Sequence, residues 1–552
     1  MKFQEIAASI ILSLLFAVGC GEPGSTSDAT FRTAMDGVDA DVIESHMEVL
    51  AADEMQGRGT GSVGYLAAAR YVADRMAEFG VQPLGGHDSY YQQVSLLATR
   101  IDLERVDAEM TRASERRALE WGVDYLASPD CLRLGAEVDA KIHFVGFGVR
   151  AEDQAYDDYA DIDVTGKLVA MFSGAPETFP PTIRAFHSLR SNKRRHAAEV
   201  GAIGILWMQT PADRSKSNWS RSVEHSRMES MCRVSEEGAP LGVEDELLVQ
   251  IQLSESGEDL LFDTMTGGLK TRAKRVLAGE AASVELPGRL RLRAGSIHRR
   301  LESPNVVGYV RGSDERLAEE YVVVSAHLDH VGTAEDGEGD RIYNGAYDNA
   351  SGVSMLLESA RVWAESPTPP RRSVIFLATT GEEKGLLGAK HFAERPTVPD
   401  GSIVANINMD MALMFGTPND VVVFGAEHSS LGDNARIAAE AAGLRLAEDP
   451  IPDEVFFIRS DQYPFIEEGI PSVFVFSGMD QGEGVEPGLE AFRDWMRDTY
   501  HTPADDMNQP IRFETGARFA QVGLAIAWQV AQGEGRPSWN EGDFFGNRFG
   551  AH

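Results

Sequence analysis

The sequence is poor in cysteine, has no surplus of positive charge and shows no long apolar run beyond its first twenty residues. Its three cysteines, Cys20, Cys131 and Cys232, form no Cys-x-x-Cys pair, which argues against a thiolate zinc site. Lys and Arg number 51 against 86 Asp and Glu, a formal charge of −35. Binding a phosphate backbone requires basic groups that displace its counterions, so nucleic acid is excluded as a partner. The acidity reads as a solvated surface. No transmembrane span follows residue 20 and no internal repeat is visible. With 43% apolar and 25% charged residues the chain is globular, and 552 residues exceed one ordinary core, so two or three domains are expected.

Residues 6–18 are almost wholly apolar, short for a bilayer span, and end in Ala17-Val18-Gly19-Cys20. Small residues directly before Cys resemble a bacterial lipoprotein signal, in which Cys20 becomes the lipidated first residue. Lys2 stands against Glu5, and Ala17 sits where Leu is usual; an ordinary secretory signal is the alternative. Either way the chain is exported, anchored to a bacterial (outer) membrane only through Cys20, or else periplasmic or secreted. Such compartments permit a disulfide, so Cys131 and Cys232 can pair or stay free.

After a tether over 21–36, Gly/Ser-rich over 21–28, helical periodicity marks 42–50 and 65–79, with the turn-rich Gln56-Gly57-Arg58-Gly59 between them. A strand region follows Tyr90-Tyr91-Gln92. Short strands and one or two helices then fill 135–290, so the first helices stand apart from their sheet.

The chemistry concentrates between residues 321 and 410. Tyr321-Val322-Val323-Val324 reads as a buried strand that ends in His327-Leu328-Asp329-His330. Asp348-Asn349-Ala350-Ser351-Gly352 opens a helix over 353–364. The strand 374–378 ends in Glu382-Glu383, and the strand 403–407 in Asn408-Met409-Asp410. Polar groups at the carboxyl ends of successive strands mark the ligand crevice of an open α/β sheet. A His, paired Glu and several Asp are the groups that hold divalent metals and move protons. A lone His after a strand is more often structural, and Glu pairs are common in so acidic a chain. Asp410, however, sits among Ile407, Met409 and Met411, where an unpaired carboxylate is costly. Asp329, two residues beyond His327, is suited to orient that ring through its carboxylate.

Read in order, His327-x-Asp329, Asp348-Asn349-x-Ser351-Gly352, Glu382-Glu383-x-Gly385, Asn408-x-Asp410 and Tyr500-His501-Thr502-Pro503 resemble the two-zinc exopeptidases. These include secreted bacterial aminopeptidases and, more distantly, glutamate carboxypeptidase and the transferrin receptor. The likeness covers nearly all of 40–530, and the segment around Gly201-Ala202-Ile203-Gly204 resembles a protease-associated domain. The resemblance implies an α/β fold, a phosphorylase/hydrolase-like mixed sheet flanked by helices with an inserted mainly-β domain. The implied organisation is a signal (1–20), tether (21–36), peptidase first part (37–134), insertion (135–290), peptidase second part (291–533) and a tail without assigned fold (534–552). It gives His327 and Asp410 to one Zn2+, Glu383 and His501 to a second, and Asp348 to both, with Glu382 as general base. Tyr500 would stabilise the oxyanion, while Arg459 and Asp461 would face substrate; Gln462 stands where the family often has His. Carboxypeptidase action, glutaminyl cyclisation and a non-catalytic receptor are the alternatives. Around the site Asp329, Asp336, Glu338, Asp340, Glu382, Glu383 and Asp461 outnumber Arg341, Lys384 and Arg459, which favours peptides with a free N-terminus.

Overall fold

The computed structural model describes residues 24–550 apart from 87, 266–267, 281, 335–338 and 482–487. The signal segment with Cys20, and likewise Asp336 and Glu338, lie outside the described residues. No helix among the described residues is long and apolar enough to cross a membrane.

The first helix, α1 (Gly24–Asp36), occupies most of the stretch expected as a tether. Its Ala34 and Met35 are buried in the main core, an apolar edge that docks an otherwise polar segment. Helix α2 (Ala40–Leu50) starts at Asp39, whose carboxylate accepts from the Asp41 N–H, and buries Ile43, Met47 and Leu50. Helix α3 (Val63–Phe79) is capped by Ser62 and ends at Gly80 in the left-handed region, φ 84°.

Next come β1 (Tyr91–Arg112), β2 (Gly135–Phe144), β3 (Leu168–Phe172) and β4 (Gly204–Met208). They are followed by α4 (Trp219–His225), β5 (Ser230–Arg233), β6 (Val249–Leu253) and β7 (Val284–Val310). The last part holds β8 (Tyr321–His327), α5 (Ser351–Glu365), β9 (Ser373–Thr379), β10 (Ile403–Met409), β11 (Asp420–Phe424), β12 (Ser472–Ser477) and α6 (Phe513–Gln532). One mixed sheet runs β11-β12-β10-β8-β9-β7-β2-β3-β4-β6.

Strand β8 lies parallel between β9 and β10, and every residue of all three is buried. Val322, Val324 and Ala326 of β8 pack with the helices of one face; Tyr321 and Val323 pack into a second core on the other. Parallel strands covered on both faces read as unbroken apolar runs, which is how they stand out in the sequence.

In the inserted part β2, β3, β4 and β6 also run parallel. Parallel neighbours need crossovers, and helices over Pro181–Ser188, Arg190–Glu199 and Glu255–Phe262 accompany them, so this part is α/β rather than mainly β. It has its own core around Phe144, Phe172 and Phe262. Strand β7 joins the two parts. Its residues 289–295 pair with β2 and residues 306–310 with β9, so a boundary at 290/291 falls inside one strand. Cys131 and Cys232 form a disulfide that ties β5 to the chain just ahead of β2. The tail, to which the sequence assigns no fold, ends in a short helix, Phe544–Phe549. Its buried Phe545 packs on Phe457 and His428. One helical turn is too short to show periodicity.

Candidate metal centre

The parallel trio brings three strand ends to one edge. His327 closes β8, Glu382 and Glu383 follow β9 through Gly381 (φ 67°), and Asp410 follows β10. Asp348 precedes α5, and His501 arrives from the loop ahead of α6.

His327 is buried, and its Nδ1–H donates to the Asp329 carbonyl at 3.0 Å. That turns Nε2 toward the carboxylates, 3.1 Å from Asp410 Oδ1 and 3.2 Å from Asp348 Oδ1. The backbone of Asp329 therefore orients the ring, not its carboxylate. The carboxylate instead accepts the Glu382 N–H at 3.0 Å and the Thr60 hydroxyl at 2.8 Å, because the chain bends away after His327. Asp348 is buried with its second oxygen 3.1 Å from His501 Nε2. The N–H groups of Tyr347 and Asp348 donate to the two carboxylate oxygens of Asp505, at 2.9 and 3.1 Å. Asn349 donates to the Met409 carbonyl and accepts the Gly352 N–H. A Cβ at Gly352 would overlap both that carbonyl and the Asn349 side chain, so the motif needs glycine there.

Glu383 lies between two imidazoles, with Oε1 2.7 Å from His330 Nδ1 and Oε2 3.1 Å from His501 Nε2. Asp410 accepts the Ser460 hydroxyl at 2.6 Å through its other oxygen. Two donor sets result, His327–Asp348–Asp410 and His330–Asp348–Glu383–His501, each with its ligand atoms within 4.8 Å of one another. The five ligand positions expected from the sequence converge. His330 is an addition. Its N–H donates to the Arg58 carbonyl, and the buried Arg58 guanidinium donates to the carbonyls of Leu50, Leu328, Asn344 and Gly345. The Gln56-Gly57-Arg58 turn thus clamps the loop that carries His330. Asp505 and Ser460 were likewise unassigned by sequence.

Asp329, Asp348, Glu382, Glu383, Asp410 and Asp461 crowd one interior around three histidines and Arg58. So many carboxyls in one place cannot all stay charged without cations beside them, and nitrogen and oxygen donors without thiolate suit a divalent metal. The two adjacent glutamates are driven apart. Burial lifts the Glu382 carboxyl well above the usual range, with Glu383 and Asp410 adding to the lift and His327 opposing it. Burial acts the same way on Glu383, but His501 and His330 outweigh it and hold Glu383 well below that range. The two neighbouring carboxyls thus hold their protons with very different strength. Asp348 is also held low: burial and Glu383 push it up, and the surrounding histidines overcome them.

Tyr500 stacks on the His501 ring at 3.8 Å, and burial followed by Asp348 and Glu383 keeps its hydroxyl protonated. Arg459 is exposed, over the Phe456 ring. Asp461 is fully buried and accepts the Thr379 hydroxyl, so it props the end of β9 and does not face substrate. Gln462 is buried too, bonded to Asn408 and the Phe457 carbonyl, so its departure from the family pattern falls behind the site.

Residues 305–527 match the model of peptidase family M28. The chain carries a peptidase family M28 domain. It is 28% identical over 269 residues to the aminopeptidase YwaD of Bacillus subtilis, covering 47% of this chain and 51% of that one. It is 36% identical over 246 residues to a probable zinc metalloprotease of Pyrenophora teres f. teres, covering 42% and 50%. The chain thus spans about half the length of these curated relatives. The solved aminopeptidase from Aneurinibacillus sp. strain AM-1 shares the fold, with TM-score 0.51 at 18% identity over 92% of this chain and 97% of that chain. The family and the mixed, helix-flanked sheet expected from the motifs both stand.

Proposed function

We propose that the protein is a zinc-dependent aminopeptidase holding two Zn2+ per chain and hydrolysing N-terminal peptide bonds. One observation carries this reading: Asp348 lies between two donor sets, with one oxygen toward His327 and the other toward His501. His327 and Asp410 would hold one ion with it, and Glu383 and His501 the other, with His330 beside them. When bound, such a pair polarises the scissile carbonyl and generates a nucleophile from water near neutral pH. Glu382, anchored through its N–H to Asp329, takes the proton of the attacking water and passes it to the leaving amine, typically for about 10²–10⁴-fold in rate. The protonated Tyr500 hydroxyl donates to the developing oxyanion.

The acidic surroundings suit a substrate ammonium, and Arg459 alone falls short of the clamp that a carboxypeptidase needs for a terminal carboxylate. A glutaminyl cyclase resemblance lacks the first His, filled here by His327, and a receptor-like loss of ligands finds none missing. The relatives, one an aminopeptidase and the other a probable zinc metalloprotease, support the same activity. Aminoacyl-nitroanilides should be hydrolysed, and a chelator should abolish this reversibly. N-acetylation of a peptide should stop cleavage while C-terminal amidation leaves turnover; the opposite pattern would make the enzyme a carboxypeptidase. Residues 135–290 are read as a protease-associated domain and Cys20 as a lipid anchor. Cys20→Ser should then move the protein from membranes to the soluble fraction; unchanged fractionation would refute the anchor.

A further inference from the structure

Beside the metal centre lies a cleft of about 930 Å3 that the mechanism does not use. Its walls come from the turn around Thr60, helix α4 of the inserted part, the strip Val331–Ala334 after His330, and Lys384. Two of these walls belong to the site itself: Thr60 holds the Asp329 carboxylate, and Lys384 directly follows Glu383. Helix α4 reaches the same edge. Arg221 donates to the Tyr500 carbonyl at 3.0 Å, and the His225 ring stands 6.5 Å from that of His501. The cleft therefore runs alongside the Glu383–His501 side of the centre.

Its charge runs against that of the chain. In a protein of −35, the lining among the described residues carries Arg100, Arg227, Arg299 and Lys384 against Glu224 and Glu229. Glu229 is taken by Arg299 at 2.5 Å. Lys384 and Arg227 have no carboxylate within ion-pair distance among the described residues, and Arg227 rests over the Trp121 ring. The site is thus polarised, with carboxylates around the metal donors and cations along the cleft.

We infer, resting on the aminopeptidase reading, that this cleft receives the part of the peptide beyond the scissile bond and that Lys384 and Arg227 pair with a carboxylate there. Each residue of an extended chain spans about 3.5 Å, so the carboxyl terminus of a tripeptide comes within reach of a lysine adjacent to a metal ligand. The favoured substrates are short peptides with a free C-terminus, or longer ones with an acidic side chain at that distance. A terminal and a side-chain carboxylate offer the same chemistry to these cations.

The test compares Leu-Ala-Ala, its C-terminal amide and Leu-Ala-Glu-amide on the metal-loaded enzyme, with and without Lys384→Gln and Arg227→Gln. Amidation should lower kcat/KM about tenfold, mainly through KM, as expected for one charge-assisted contact. The Glu-containing amide should recover most of that loss if a side chain can substitute, and none if only the terminus is read. The acid-to-amide ratio should fall toward one in the double variant and in high salt. Equal cleavage of acid and amide by the unaltered enzyme, or a ratio that survives both substitutions, overturns the inference. Failure of the aminopeptidase reading would look different, as cleavage of N-acetyl-Leu-Ala-Ala or persistence of activity in chelator. Both side chains lie at the surface of the cleft, and an unchanged thermal midpoint verifies that the variants fold.

Discussion

The metal-bearing part and the inserted part both rest on parallel strands in one sheet, yet they use charge in opposite ways. Around β8, β9 and β10 six carboxyl groups, four of them buried, gather beside three histidines and Arg58 and outnumber them. Across β2 and β7 the charges are exposed and matched: Arg289 with Asp139, Arg291 with Glu137, Lys141 with Glu285. The first arrangement suits a divalent partner, which would offset the mutual repulsion of the carboxylates. The second solvates a sheet face and contributes little. Imbalance, more than the number of charges, separates a site from a surface.

The sharpest break in that comparison is Glu382→Gln. In the proposed mechanism this side chain carries a proton and is not counted among the ligands, so both proposed metals should remain while kcat falls by about 10²–10⁴-fold with KM little changed. Elemental analysis alongside steady-state kinetics checks it. Loss of metal would mean that Glu382 is a ligand and that the two glutamates have exchanged roles.

The same contrast explains what could be read from the sequence. The trio β8, β9, β10 is visible because each strand is apolar on both faces and ends abruptly in His327, Glu382-Glu383 or Asp410. The ligands follow from those ends, and Gly352 from the motif. Of strand β7, only the closing run 305–310, Asn-Val-Val-Gly-Tyr-Val, reads as a strand in the sequence. Its earlier part alternates charged and apolar side chains and carries Pro287, Gly288 and Pro304, which read as turns, and its register shifts between Leu286 and Arg289. His330 was in view but bland, since a His in a loop is usually structural; the cluster of carboxyl residues at the neighbouring strand ends was the available signal for a further partner. The role of Asp329 was misjudged because sequence shows that a carboxylate is near, not which of its atoms faces the ring.

The inserted part should depend on its covalent staple more than the metal-bearing part does. The Cys131–Cys232 bond spans 101 residues of sequence, and closing a loop of that size stabilises by up to about 4–5 kcal/mol on chain-entropy grounds. Cys131→Ser with Cys232→Ser should lower the thermal unfolding midpoint by several degrees while metal content stays at the unaltered level. A parallel loss of metal would show that the two parts are not separable and would dissolve the comparison.

His330→Leu tests the reverse direction, removing one buried imidazole from the unbalanced side. Glu383 Oε1 loses its partner at 2.7 Å, and the ion proposed at Glu383 and His501 should dissociate about 10–100-fold more readily, as for other groups that support a ligand. Competition with a chromogenic chelator resolves this, and the ion held by His327 and Asp410 serves as the internal control. Unchanged retention of both ions would make His330 a packing residue.

The smallest effect is expected at Arg289. Its guanidinium lies 2.7 Å from Asp139, but the side chains are 49% and 60% exposed. Water screens the attraction, and ordering two long side chains offsets much of what remains, so an exposed pair is worth roughly 0–1 kcal/mol. The backbone pairing of β7 with β2 does not involve either side chain. Arg289→Ala and Asp139→Ala, singly and together, should therefore give a coupling below about 1 kcal/mol by denaturant unfolding, shrinking further in salt. A salt-insensitive coupling above about 2 kcal/mol would put real energy on this exposed face. Balance would then no longer distinguish a surface pair from the charges that hold a metal.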